Sequence, residues 1–127
     1  MRALVIDDSR TMRHIIARIL GGLGCETSEA GDGREALDLL EAGETFDFAT
    51  IDWNMPVMDG LEFVMAVRAR RDWRSLTLMM VTTEAEHDQI VRALAAGAHE
   101  YLIKPFTPDA IGEKLALLGM MPFEVSA

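Results

Sequence analysis

Short apolar runs alternate along the chain with stretches of helical period. Leu4-Val5-Ile6 is a brief run that stops at two aspartates. Met12, Ile15, Ile16, Ile19, Leu20 and Leu23 then recur at i, i+3, i+4, i+7, i+8 and i+11, one face of a helix. Gly21, Gly22 and Gly24 are expected to end it. Glu26 to Ala30 reads as a weak second strand, and Asp32 with Glu35 as a capping box for a helix through Leu37, Leu39 and Leu40. Phe46 to Ile51 is a third strand that again stops at an aspartate. Asp59 with Glu62 caps a helix through Phe63, Val64 and Val67. Leu76 to Val81 is a fourth strand, and Thr83 with Glu86 is expected to cap a helix ending at Gly97. Tyr101-Leu102-Ile103 is a fifth strand. Thr107-Pro108 opens a last helix, with proline at the first helical position, and Gly119 stops it.

Strands that are apolar on both faces and separated by helices predict a parallel sheet covered on both sides. With right-handed crossovers, the fold class is α/β: a doubly wound, five-stranded (βα)5 three-layer sandwich. The organisation expected is one domain over 1–119 and a short tail over 120–127, with no linker, repeat or low-complexity tract. In such folds a ligand sits outside the carboxyl ends of the strands, so the residues just after each strand are the ones to inspect.

Composition narrows the possible functions. At 127 residues and half apolar, the chain has enough for one core. Its net charge is −9, against a nucleic-acid-binding or anionic-membrane surface. Residues 25–60 alone carry ten acidic groups and one basic group. No apolar run is long enough to span a bilayer, and Asp7-Asp8 follows the first apolar run too soon for a signal peptide. The expected location is the cytoplasm. The single cysteine, Cys25, excludes an internal disulfide and a multi-cysteine metal site.

The strand ends carry the chemistry. Asp7 and Asp8 follow strand one, Asp52 strand three, Thr82 strand four and Lys104 strand five. Taken singly, Asp7 or Asp8 serves equally as a helix cap, in competition with Ser9, and Lys104 as a solvated lysine. Together they form a set. Three close carboxylates repel one another unless a cation intervenes. All-oxygen ligation indicates a hard cation such as Mg²⁺, which keeps waters and takes one or two carboxylates and a phosphate oxygen. Lys104 offers a point charge and Thr82 a hydroxyl to the same phosphoryl group. The combination suits phosphoryl chemistry with a carboxylate nucleophile.

Four stretches carry a family resemblance: Val5-Ile6-Asp7-Asp8-Ser9; Ile51-Asp52-Trp53-Asn54-Met55-Pro56-Val57-Met58-Asp59-Gly60; Val81-Thr82-Thr83-Glu84-Ala85; and Ala96-Gly97-Ala98 leading to Tyr101-Leu102-Ile103-Lys104-Pro105-Phe106. In this order they resemble the receiver domain of two-component response regulators, most closely the stand-alone, chemotaxis-type (CheY-like) form with flavodoxin-like topology. The resemblance implies that Asp52 accepts a phosphoryl group from a phosphohistidine on a histidine kinase or phosphotransfer protein. It implies Mg²⁺ held directly by Asp8, the Asp52 carboxylate and the backbone carbonyl of Asn54, with Asp7 acting through water. Lys104 would pair with a phosphoryl oxygen and Thr82 would move to bond another. Tyr101 would swing inward, and the surface of the fourth helix, fifth strand and fifth helix would present the result to an effector. A cis Lys104-Pro105 bond is implied as well. Asn54 and Glu84 would tune dephosphorylation, and Thr83, where the family usually has alanine or glycine, would slow the approach of attacking water. The resemblance implies a regulator that acts on itself rather than an enzyme with an external substrate, with pairing into homodimers an open option.

Competing readings are the receiver half of a longer regulator, a phosphorelay intermediate, an aspartate-nucleophile phosphatase and a flavodoxin-like electron carrier. The phosphatase would need a second acid two residues after its nucleophile and a cap domain, and Asp7-Asp8 would repel a flavin phosphate. His14, His87 and His99 show no metal spacing and read as surface or cap residues. Arg10, Arg13 and Arg18 on the first helix, and Arg68, Arg70, Arg71 and Arg74 after the third, read as solubilising charge or as a patch for an acidic partner. Met55 and Met58 read as loop residues.

Overall fold

A computed structural model describes residues 1–120; of the expected tail, 121–127 lie outside the described residues. The elements run β1 (Arg2–Ile6), α1 (Arg10–Gly22), β2 (Glu26–Ala30), α2 (Gly33–Glu41), β3 (Phe48–Ile51), α3 (Gly60–Ala69), a 3-10 turn (Arg71–Trp73), β4 (Thr77–Thr82), α4 (His87–Ala96), β5 (Glu100–Ile103) and α5 (Pro108–Leu117). The strands form one parallel sheet in the order β2-β1-β3-β4-β5. The doubly wound α/β expectation holds, with the chain reversing its direction of winding between β1 and β3.

Alternate strand residues feed two cores. Leu4, Ile6, Ala49, Ile51, Leu78 and Met80 pack with Leu37, Leu40, Phe63, Val64 and Val67 on the side of α2, α3 and α4. Ala3, Val5, Phe48, Met79 and Val81 pack with Ile16, Leu20, Ile111 and Leu115 on the side of α1 and α5. Burying both faces leaves the strand ends as the place where polar side chains can gather.

Several local expectations need correction. Gly21 and Gly22 lie inside α1, whose cap is Leu23; only Gly24 takes the positive φ that stops it. The cap at the start of α1 is Ser9, whose Oγ accepts from the Met12 N–H, so neither Asp7 nor Asp8 is spent on capping. Asp32 accepts from Glu35 N–H, but the Glu35 carboxylate accepts from Gly31 N–H instead of closing the box. The Asp59–Glu62 box is complete. The Thr83–Glu86 box does not form: α4 begins at His87, after a Glu86 cap that makes no side-chain bond. Met55 and Met58 are half-buried against the core.

Candidate functional site

Each strand end delivers its residue to one edge of the sheet. Asp7 is buried: its Oδ1 accepts from Ser9 N–H at 2.8 Å and its Oδ2 from Lys104 Nζ at 2.7 Å. Both Asp7 oxygens are therefore engaged by the protein. Asp8 is exposed and, among the described residues, makes no side-chain hydrogen bond or ion pair. Asp52 is half-buried; its Oδ1 accepts from Trp53 N–H at 2.8 Å and its Oδ2 lies 3.5 Å from Lys104 Nζ. Lys104 is 9% exposed and precedes a cis bond to Pro105.

Carboxylate oxygens of Asp7, Asp8 and Asp52 lie within 4.8 Å of one another. Three anions and one ammonium leave an excess of negative charge in a partly desolvated place. The donors are all hard oxygens, one carboxylate is unengaged, and the group opens to solvent through Asp8. This set fits a hard divalent cation. Burial raises the Asp52 pKa above the usual carboxylate range; the Thr82 hydroxyl and the Lys104 ammonium oppose that, and Asp7 adds to it.

Thr82 is fully buried at the end of β4, and its Oγ1 accepts from Glu84 N–H at 3.3 Å. Glu84 then joins two further residues: its carboxylate accepts from Asn54 Nδ2, and its backbone carbonyl accepts from the Tyr101 hydroxyl at 2.5 Å. Tyr101 stands inward, 8% exposed, and burial followed by the Glu84 and Asp52 charges raises its phenol pKa. Thr83 is exposed beside these groups. Trp53 is buried beneath α4, with the Arg92 guanidinium 6.0 Å from its ring.

The sheet edge thus gathers Asp7, Asp8, Asp52, Asn54, Thr82, Thr83, Glu84, Tyr101 and Lys104. Two arginines read as solubilising charge or a partner patch, and a histidine read as a surface or cap residue, bond the fold instead. Arg13 bonds the Asp7 carbonyl and the Glu29 carboxylate. Arg68 donates to the carbonyls of Gly97 and Leu76, each at 2.9 Å. His99 Nδ1 accepts from Leu78 N–H at 3.1 Å. These bonds exist only once the fold brings the partners together, and spacing along the chain carries no such signal.

The model of the response regulator receiver domain family matches residues 3–116. The chemotaxis protein CheY of Pseudomonas aeruginosa is 47% identical over 116 residues, spanning 91% of this chain and 93% of that protein. The chemotaxis protein CheY-3 of Vibrio cholerae is 43% identical over 116 residues, 91% of this chain and 88% of that one. Among solved structures, chemotaxis protein CheY4 of Vibrio cholerae superposes with a TM-score of 0.85 at 37% identity, covering 91% of this chain and 96% of that one.

Proposed function

The chain belongs to the response regulator receiver family, and from that membership we propose that Asp52 accepts a phosphoryl group from a phosphohistidine and that the protein thereby switches a binding surface. It is a receiver of the CheY type, a regulator rather than an enzyme with its own external substrate. The observation that carries the proposal is the placement of Lys104 Nζ between two carboxylates, 2.7 Å from Asp7 and 3.5 Å from Asp52.

In the transfer, an Asp52 carboxylate oxygen attacks the phosphorus. The new O–P bond forms as the N–P bond breaks, and the leaving imidazole nitrogen keeps the electron pair and takes up a proton. Lys104 is close enough to follow an incoming phosphoryl oxygen with little movement. Thr82 lies beside Asp52 and offers its hydroxyl to another. Asp8, Asp52 and the Asn54 carbonyl would hold Mg²⁺ directly, and Asp7, with both oxygens engaged, would act through water. A bound Mg²⁺ supplies charge neutralisation for the transferring group.

Phosphorylation turns one carboxylate into a larger dianion, and a new charge-assisted bond to Thr82 biases the β4–α4 segment. Tyr101 reports the bias through Glu84. The surface of α4, β5 and α5 is the proposed output. Val91 and Leu94 on α4 and Ile103 on β5 expose apolar side chains there, as an effector-binding surface requires. The names of the relatives place them in chemotaxis, and we assign this chain the same kind of role: a cytoplasmic, stand-alone regulator between a histidine kinase and an effector protein.

Fluorescence of Trp53, next to Asp52, tests this. Mg²⁺ is titrated first and a small acyl-phosphate donor is added next, with Trp73→Phe removing the second reporter. A saturable metal response, and a donor response that Asp52→Asn abolishes, are expected. A donor response that survives Asp52→Asn overturns the assignment of the phosphoacceptor.

A further inference from the structure

Among the described residues the Asp8 carboxylate has no partner to aim it, although the proposed cation site depends on it. The backbone that precedes it then sets where its side chain begins. That backbone is held from three sides. Asp7 N–H donates to the Ala30 carbonyl at 3.1 Å, and Ser9 N–H donates to Asp7 Oδ1 at 2.8 Å. The third hold is a side chain: Arg13 Nη1 donates to the Asp7 carbonyl at 2.7 Å. This carbonyl belongs to the peptide that leads into Asp8, so its orientation fixes where the Asp8 side chain starts.

Arg13 is itself anchored. Its Nε donates to Glu29 Oε1 at 3.2 Å, and Glu29 sits on β2, one residue before the Ala30 that holds Asp7 N–H. The Arg13 side chain is 18% exposed, unlike Arg10 and Arg18, which stand in solvent on the same helix. The planar guanidinium engages both partners at once, one arm on a carbonyl and one on a carboxylate, which an ammonium cannot reproduce. The 2.7 Å bond to a part-buried carbonyl, made alongside the Glu29 contact, distinguishes it from a simple surface ion pair.

We propose that Arg13 is a positioning residue for the metal ligand Asp8: through the Asp7 carbonyl it sets the affinity of the acidic site for Mg²⁺. The inference rests on the receiver reading above and names a residue outside the acidic cluster as a determinant of that site. Two effects of the guanidinium oppose each other. Its positive charge disfavours a cation nearby, so charge alone predicts tighter Mg²⁺ binding when it is removed. Its hold on the peptide favours the ligand geometry, so positioning predicts weaker binding. Outer partners that orient metal ligands are typically worth tenfold or more in affinity.

The experiment is a Mg²⁺ titration followed by Trp53 fluorescence in the full chain carrying Trp73→Phe, well below the melting temperature of each variant. Arg13→Met keeps the apolar stem and removes both arms. The expected result is a Kd for Mg²⁺ raised about tenfold. Arg13→Lys restores the charge but only one donor nitrogen, which cannot span both partners, and is expected to fall between Met and the parent. Glu29→Gln, which weakens the anchor and leaves Arg13 intact, should raise Kd in the same direction, and it keeps the test available if Arg13→Met does not fold. A Kd that is unchanged or lower in Arg13→Met and Glu29→Gln overturns the proposal, whatever happens to the melting temperature. Failure of the parent chain to bind Mg²⁺ instead strikes the receiver reading of the site, so the two failures are distinct.

Discussion

Gly60 stands against Asp52: a Cβ built on Gly60 would lie 2.2 Å from the Asp52 carbonyl oxygen and 3.0 Å from Trp53 Cα. The start of α3 is thereby pressed onto the backbone of the proposed phosphoacceptor, with Gly60 N–H donating to the Trp53 carbonyl at 2.8 Å. No flexible side chain is there to yield. Gly60→Ala must therefore displace either the helix or the strand end. The expected cost is about 2 kcal/mol of stability, as for other overpacked sites. Urea denaturation measures it, and phosphorylation by an acyl phosphate should slow in the folded variant because Asp52 shifts relative to Lys104.

Val57, five residues after Asp52, sits at φ +67° and is 80% exposed. Met58 N–H donates to the Pro56 carbonyl at 2.7 Å across it, which makes a three-residue turn of the strained, positive-φ form. A β-branched residue in this region is an outlier. The turn is held because the Met58 carbonyl accepts from Gly33 N–H at 3.1 Å and Met58 packs against Gly33, where any Cβ would collide. Val57→Asn relieves the strain without disturbing a packed side chain. It is expected to add about 1 kcal/mol, read as a higher urea midpoint with an unchanged slope.

The sheet and the site were legible in the sequence for one reason. In a parallel sheet covered on both faces, apolar runs end where the polar edge begins, so Asp7, Asp52, Thr82 and Lys104 marked that edge by position alone. The start of α4 was not legible in this way. Thr83 and Glu86 have the spacing of a capping box, but tertiary bonds compete for the segment: Thr82 Oγ1 takes Glu84 N–H and Tyr101 takes the Glu84 carbonyl. The chain stays irregular until His87. The roles of Arg13, Arg68 and His99 were not legible because each bonds a backbone group that only the fold brings within reach. For Arg68 and His99 the partners are up to twenty-nine residues away along the chain.

Thr83 lies between the buried Thr82 and the Glu84 that binds Asn54. We propose that its exposed, β-branched side chain hinders the approach of water to a phosphoryl group on Asp52. Thr83→Ala is expected to speed dephosphorylation about threefold, about 0.7 kcal/mol of barrier. The decay of the donor-induced Trp53 signal after donor removal measures the rate. No acceleration in Thr83→Ala would mean that the side chain does not restrict the water.

His99 gives the chain a pH dependence remote from the acidic site. Its Nδ1 accepts from Leu78 N–H at 3.1 Å and faces Arg68 Nη2 at 3.2 Å, so in the fold this nitrogen serves as an acceptor. Burial, and then the Arg68 charge, lower its pKa below the usual imidazole range. The unfolded chain therefore takes up the proton first as the pH falls. The stabilising contribution is complete above the unfolded imidazole's pKa, about 6.5, and is lost as the pH drops through the lower folded value. The substitution His99→Gln replaces the nitrogen acceptor with an amide oxygen and removes the titration. Urea midpoints between about pH 7 and 5 should fall more steeply for the parent than for His99→Gln. Parallel curves for the two proteins would show that the ring's bond to the start of β4 carries no proton linkage.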